Sequence, residues 1–261
     1  MKNKLLIFTI IILVFFLFIA FILTPLHKKA PIRKLIPIKD KGVIAIVIDD
    51  WGYHLDNLAI LKKIKVPLTC AVLPNLKNSN FVSKELNTLG CEIILHLPMA
   101  PKEKYKLEKN TITSNLNAQQ IQRIIDNALI SVPFTKGISN HMGSEITENK
   151  MITTVIMAQA KNHRLYFLDS FVTAKSVCQE VSTKTKVRFA KRDVFLDNSD
   201  DPIYIKNQLI KLKNLASRKK IAIGIGHDRK NTLLVLNQML PLMKREGYRF
   251  VFVSQVAELN Q

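Results

Sequence analysis

Residues 43–52 read Val43-Ile44-Ala45-Ile46-Val47-Ile48-Asp49-Asp50-Trp51-Gly52. Six aliphatic residues in a row leave no polar face, which is the pattern of a parallel strand covered on both sides. The run then stops on two adjacent carboxylates. The same design returns late in the chain, where Ile221-Ala222-Ile223-Gly224-Ile225 ends on Gly226-His227-Asp228. Two such strands, each delivering polar residues at its C-terminal end, set the terms for everything between them.

Working outward, further apolar, β-branched runs occupy 68–73, 92–97, 137–141, 165–168, 187–196 and 248–253. Segments with helical periodicity lie between most of them, at 57–65, 79–89, 117–131, 148–162, 203–219 and 232–246. Strand–helix alternation with short connections predicts βαβ units and a parallel sheet. Local punctuation agrees. Asp56 and Asn117 are placed to cap helices, Asp201-Pro202 offers a cap and a first-turn proline, and Gly90 and Gly247 stand where helices end. Seven or eight strands predict an α/β fold, a distorted (β/α)7–8 barrel, with a flavodoxin-like open sheet as the alternative.

The polar residues at the predicted strand ends are unusual for an inert barrel. Asp49-Asp50 ends the first strand, His96 the third, Asn140-His141 the fourth and Asp169-Ser170 the fifth. Arg192-Asp193 and Asp197 belong to the sixth, and His227-Asp228 follows the seventh. In a (β/α) barrel all these ends open on one face, where active sites sit. Several imidazoles with carboxylates and no thiolates suit zinc or another divalent first-row metal. Such a metal lowers the pKa of a bound water to ~7 and polarises a carbonyl oxygen, which serves hydrolysis of an amide or ester.

Other chemistries fit worse. Gly224-Ile225-Gly226 lacks the third glycine of a dinucleotide fingerprint, with Arg229 in its place. Ser144 and Ser170 lie in no G-x-S-x-G elbow. Cys70, Cys91 and Cys178 have no metal-site spacing and imply no disulfide framework. His27, His54 and His163 read as linker or surface residues. Trp51 is a candidate sugar-stacking platform, against the ordinary fate of a lone tryptophan in the core.

Residues 5–23 are apolar except Thr9, and about 19 helical residues span roughly 28 Å, close to a bilayer core. Residues 1–24 therefore read as one N-terminal transmembrane or signal helix, an uncleaved anchor in preference to a signal peptide. Residues 25–41, with three prolines and six basic residues, read as an extended linker. Residues 42–261 are left as the barrel domain. The basic residues after the span argue for a cytoplasmic domain under the positive-inside rule, whereas an N-terminal span before a large domain suits export. The expected location is membrane-anchored or exported, with the domain in the periplasm or extracytoplasmic space.

The net charge is +19, and about +12 remains beyond Lys41. This favours anionic envelope polymers or lipid head groups, or else a surface of solvated lysines. No recognition motif accompanies the charge, so no nucleic-acid partner is expected.

The block IDDWG at 48–52 resembles the opening motif of polysaccharide deacetylases. EIILHLPM at 92–99, NHMGS at 140–144, FLDS at 167–170, RDVFLDN at 192–198 and IGIGH at 223–227 are similar, in order, to the signature blocks of the divergent branch of that family. The resemblance implies a metal-dependent hydrolase acting on an acetylated envelope glycan, with Asp49 as general base, Asp50 as metal ligand and His227 as acid to the leaving group. It implies a divalent metal, most simply Zn2+. Ordinary members carry H-x-x-x-H after the third strand, but here His96 is followed by Leu97-Pro98-Met99-Ala100. His141, one strand away, is the expected third ligand. Asp169, Ser170, Arg192, Asp193 and Trp51 are expected to bind substrate or support the ligands. The missing histidine motivates an alternative, a non-catalytic glycan-binding or scaffold barrel; hydrolysis of a peptide cross-link amide is a third reading.

Overall fold

The computed structural model describes residues 40–259. The predicted anchor and all but the last two residues of the linker lie outside that range. Among the described residues no helix is long and apolar enough to cross a membrane.

The strands are β1 (Gly42–Trp51), β2 (Thr69–Val72), β3 (Glu92–Met99), β4 (Thr135–Met142), β5 (Tyr166–Asp169), β6 (Phe189–Lys191), β7 (Val194–Phe195), β8 (Ile221–His227) and β9 (Tyr248–Val251). The helices are α1 (Leu58–Leu61), α2 (Ser79–Thr88), α3 (Ala118–Ser131), α4 (Lys150–Asn162), α5 (Cys178–Thr185), α6 (Pro202–Lys219) and α7 (Lys230–Arg245). The strands pair in the order β6-β5-β4-β3-β2-β1-β8-β7, and β9 adds to the first half of β1. Every ladder is parallel. A flavodoxin-like sheet would reverse its order partway; here the order runs round on itself, as in a barrel.

The barrel is open at one seam, which corrects the single predicted strand 187–196. That stretch breaks in two because its backbone changes partner. Arg192 N–H donates to Asp169 O on β5 at 3.0 Å, and the next N–H, of Asp193, donates to Ile223 O on β8 at 2.9 Å. Other boundaries also move. The first helix is a single turn and not 57–65, and Asp56 does not cap it. Asn57 holds the N-cap position, but its amide is committed to Asp228 Oδ1 at 2.9 Å. Helix α5 had no prediction, because the sequence CQEVSTKT is short and rich in poor helix formers. Asn117 closes a capping box with Gln120, and Asp201 accepts from Tyr204 N–H ahead of Pro202. Gly90 and Gly247 take the left-handed backbone expected of helix-ending glycines.

Strand period decides which residues face the barrel interior. Ala45 and Val47 of β1 pack with Ala71, Ile94, Leu168, Ile223 and Ile225 in the inner core. Ile44, Ile46 and Ile48 belong to the larger core beneath the helices. Extending the inner series puts Asp49, His96, His141 and His227 on the inward face of their strands, all toward one end. Tyr166 fills the opposite end, where its hydroxyl donates to buried Glu92 at 2.9 Å. A Cβ on Gly137 would lie 2.6 Å from that ring. Gly137→Ala is therefore expected to destabilise the fold by about 1–3 kcal/mol through overpacking, measured as a lower urea midpoint with an unchanged m-value.

Candidate metal centre

Asp50 has the wrong parity to face inward, and the backbone corrects this. The β1–β2 register slips between Ile48 and Trp51, and Asp50 takes φ +66° in the left-handed region. A bulge of this kind re-aims the side chains beyond it. Asp50 is delivered to the inner cluster, while Trp51, which strict alternation would turn inward, is fully buried in the outer core. Trp51 presents no ring face to a sugar, so its expected role as a stacking platform is not supported by its position.

At the cluster, Asp50 Oδ1 lies 3.0 Å from His141 Nδ1 and 3.3 Å from His96 Nε2. One donor atom from each residue can be chosen so that all lie within 4.8 Å of one another. Metal–ligand bonds of ~2.0–2.1 Å at tetrahedral angles put donors about 3.3 Å apart, so this spacing fits a first-row divalent ion. The carboxylate itself makes the same point. Asp50 Oδ1 is buried without a hydrogen-bond partner, as is Oδ1 of the neighbouring Asp49. Two adjacent carboxylates, each with an oxygen that accepts no hydrogen bond, make this a suitable place for a cation. Asp50 and His141 keep some exposure, so the cluster opens outward on their side.

The titrating groups respond to this crowding. Burial alone would raise the Asp50 carboxyl, but the His141 and His96 imidazoles outweigh it and hold it far below the usual carboxylate range. Asp49 is raised by burial, despite the pull of His96. Burial disfavours the His96 imidazolium, yet Asp49 and Asp50 raise its pKa on balance. His96 Nδ1 sits 2.7 Å from Ser139 Oγ; the tautomer that donates this hydrogen bond leaves the Nε2 lone pair facing Asp50.

His227 stands beside the cluster as half of a second unit. Its Nδ1 lies 2.8 Å from Asp197 Oδ1, and its own N–H donates to Asp197 Oδ2. Asp197 is fully buried and also accepts from Thr232 Oγ1 at 2.6 Å. Its carboxylate outweighs burial and raises the His227 pKa. Phe195 stacks on the His227 ring at 5.2 Å, and the Arg192 guanidinium lies 4.4 Å above the Phe195 ring. Arg192 also donates to the carbonyls of Ser170 and Phe171. Arg192 thus braces the open seam and the stack under His227.

The remaining candidates sit apart from the cluster. Asp169 has outward parity, and its carboxylate accepts from Phe171 N–H and Ser176 Oγ. Ser170 ties the ends of β4 and β5 through Asn140. Asp193 accepts from Ile223 N–H and pairs with Lys219, and makes no contact with the cluster. Sequence reasoning missed Ser139 and underrated Asp197. The strand period exposes the first, since Ser139 and His141 share a face of β4.

Residues 46–257 match the family profile described as divergent polysaccharide deacetylase. The Escherichia coli (strain K12) protein YibQ, described as uncharacterized, is 37% identical over 199 residues, covering 76% of this chain and 62% of that one. The chain thus spans less than two thirds of that relative. An uncharacterized protein of Haemophilus influenzae (strain KW20/Rd) is 32% identical over 193 residues, 74% of this chain and 69% of that one. The crystal structure of an uncharacterized protein from Agrobacterium tumefaciens C58 is similar in fold, with TM-score 0.79 at 18% identity over 84% of this chain and 90% of that one.

Proposed function

The chain belongs to the divergent polysaccharide deacetylase family, and from that premise we propose that it is a metal-dependent hydrolase removing acetyl groups from an envelope carbohydrate. The observation that carries this reading is the convergence of Asp50, His96 and His141 beside the His227–Asp197 pair. Asp50, His96 and His141 would hold the metal, with zinc the ion of choice for two imidazoles and a carboxylate. When bound, the ion supplies Lewis acidity toward the acetyl carbonyl and toward water.

The chain's own residues divide the proton traffic. Asp49, buried and unpartnered at Oδ1, takes a proton from the attacking water. His227 gives a proton to the departing amine or alcohol, and Asp197 holds its ring through Nδ1 so that Nε2 is the donating atom. The scaffold alternative drew on the absent second histidine of H-x-x-x-H. His141 reaching Asp50 from the adjacent strand supplies a third donor and favours the enzyme. We assign residues 42–261 as the catalytic unit, 1–24 as its membrane anchor or signal segment and 25–41 as the linker, with the barrel on the extracytoplasmic side.

The test is acetate release from N- and O-acetylated amino-sugar oligomers by the zinc-loaded chain, run beside peptide cross-link substrates. Acetate from the sugars supports the proposal; cleavage of the peptides alone, or no turnover of either, overturns it. A sharper expectation concerns Asp197. Its carboxylate keeps His227 protonated to higher pH, so Asp197→Asn lowers that pKa and moves the alkaline limb of the kcat/KM profile to lower pH. The loss grows with pH, from small in mild acid to about ten-fold or more above neutrality.

A further inference from the structure

The end of the barrel opposite the metal cluster carries its own chemistry. There the strands begin and the helices end. Lys62, Lys63 and Lys65 follow α1, Lys220 follows α6, and Lys244 and Arg245 close α7; all six are exposed. Two acids at this end are already engaged, Asp40 with Arg249 at 3.2 Å and Glu246 with Lys213 at 2.8 Å. Helix dipoles account for cations in a last turn. Lys62 and Lys220 stand at the C-caps of α1 and α6, and Lys65 Nζ donates to the Lys62 carbonyl at 2.8 Å, which leaves Lys63 beyond the reach of that effect.

Three of the six, Lys65, Lys244 and Arg245, line apolar surface. A groove of about 410 Å³ between the ends of α1 and α7 is floored by Ile64, Val66, Leu240 and Pro241 and rimmed by Lys65 and Lys244. Leu242, 42% exposed, stands one residue beyond Pro241. The chain enters the barrel at this same end, since Gly42 opens β1. Upstream, only residues 24–41 separate Gly42 from the apolar run 5–23.

We infer that this face is a membrane-contact surface, which seats the barrel on anionic phospholipid and turns the metal cluster away from the bilayer. Lysines near an anionic surface are attracted by its potential, and an apolar floor between them suits the boundary between head groups and acyl chains. The inference stands independently of the deacetylase reading.

The test uses the full chain in phosphatidylethanolamine–phosphatidylglycerol vesicles and in phosphatidylcholine vesicles, with lysine acetylation by a water-soluble reagent read by mass spectrometry. In the anionic vesicles, Lys62, Lys65, Lys220 and Lys244 are expected to label about five-fold more slowly, with the protection weakening in ~1 M salt. Lys104, Lys106 and Lys109, on the loop at the other end, label equally in both and serve as the internal reference. Equal labelling of the first set in both vesicles overturns the inference, as does protection of the second set instead. Protection by soluble polyphosphate but not by anionic vesicles also overturns it, assigning the face to an anionic polymer.

Discussion

Asp50→Asn is expected to cost the barrel its metal while leaving the fold intact. Asparagine tolerates the left-handed backbone that residue 50 adopts at φ +66°, which alanine would not. The substitution removes the charge that sits 3.0 and 3.3 Å from the two imidazoles. Metal content after dialysis should fall well below one per chain, against one for the wild type, while the thermal transition of the metal-free proteins stays similar. Loss of the ion's Lewis acidity removes several kcal/mol of transition-state stabilisation, which is on the order of a 10³-fold fall in kcat/KM. A variant that keeps stoichiometric metal would remove Asp50 from the ligand set.

Asp49→Asn is expected to do the reverse. Asp49 is adjacent in sequence, but its carboxylate is further from the imidazoles, 3.6 Å from His96 Nε2. Its Oδ1 has no partner in the fold and its Oδ2 meets His96 only at 3.6 Å, so exchange for an amide gives up one loose charge contact. If Asp49 is the base, kcat falls by roughly 10²–10⁴-fold, the usual worth of a positioned proton acceptor, and metal occupancy remains near one. The two substitutions together separate holding the ion from moving the proton. Parallel loss of metal in both would merge the roles and contradict the assignment.

Much of this was legible in the sequence because barrel strands obey a period of two. The run 43–48 announced a strand covered on both faces, and the same parity carries Asp49, His96, His141 and His227 to one inward face. Asp50 was legible as a strand-end carboxylate, but its role as a ligand came only from the resemblance to a family motif. Its side chain reaches the cluster through a bulge between Ile48 and Trp51, and nothing in an alternating pattern announces a bulge. The same bulge explains why Trp51 is core and not a sugar platform. The seam at Arg192-Asp193 escaped for a related reason: an apolar stretch with one charged pair reads as a single strand, and only backbone partners reveal the change from β5 to β8. Asp197 was underrated because its importance lies in a bond to His227, thirty residues away.

The central claim is that Asp50, His96 and His141 hold one divalent ion. Crystals of the zinc-loaded chain, with diffraction recorded on both sides of the zinc absorption edge, test it most directly. The expected result is a single anomalous peak bonded to an Asp50 carboxylate oxygen, His96 Nε2 and His141 Nδ1, at distances of ~2.0–2.2 Å. A well-ordered barrel with no peak at this position, or with its peak on other residues, would contradict it.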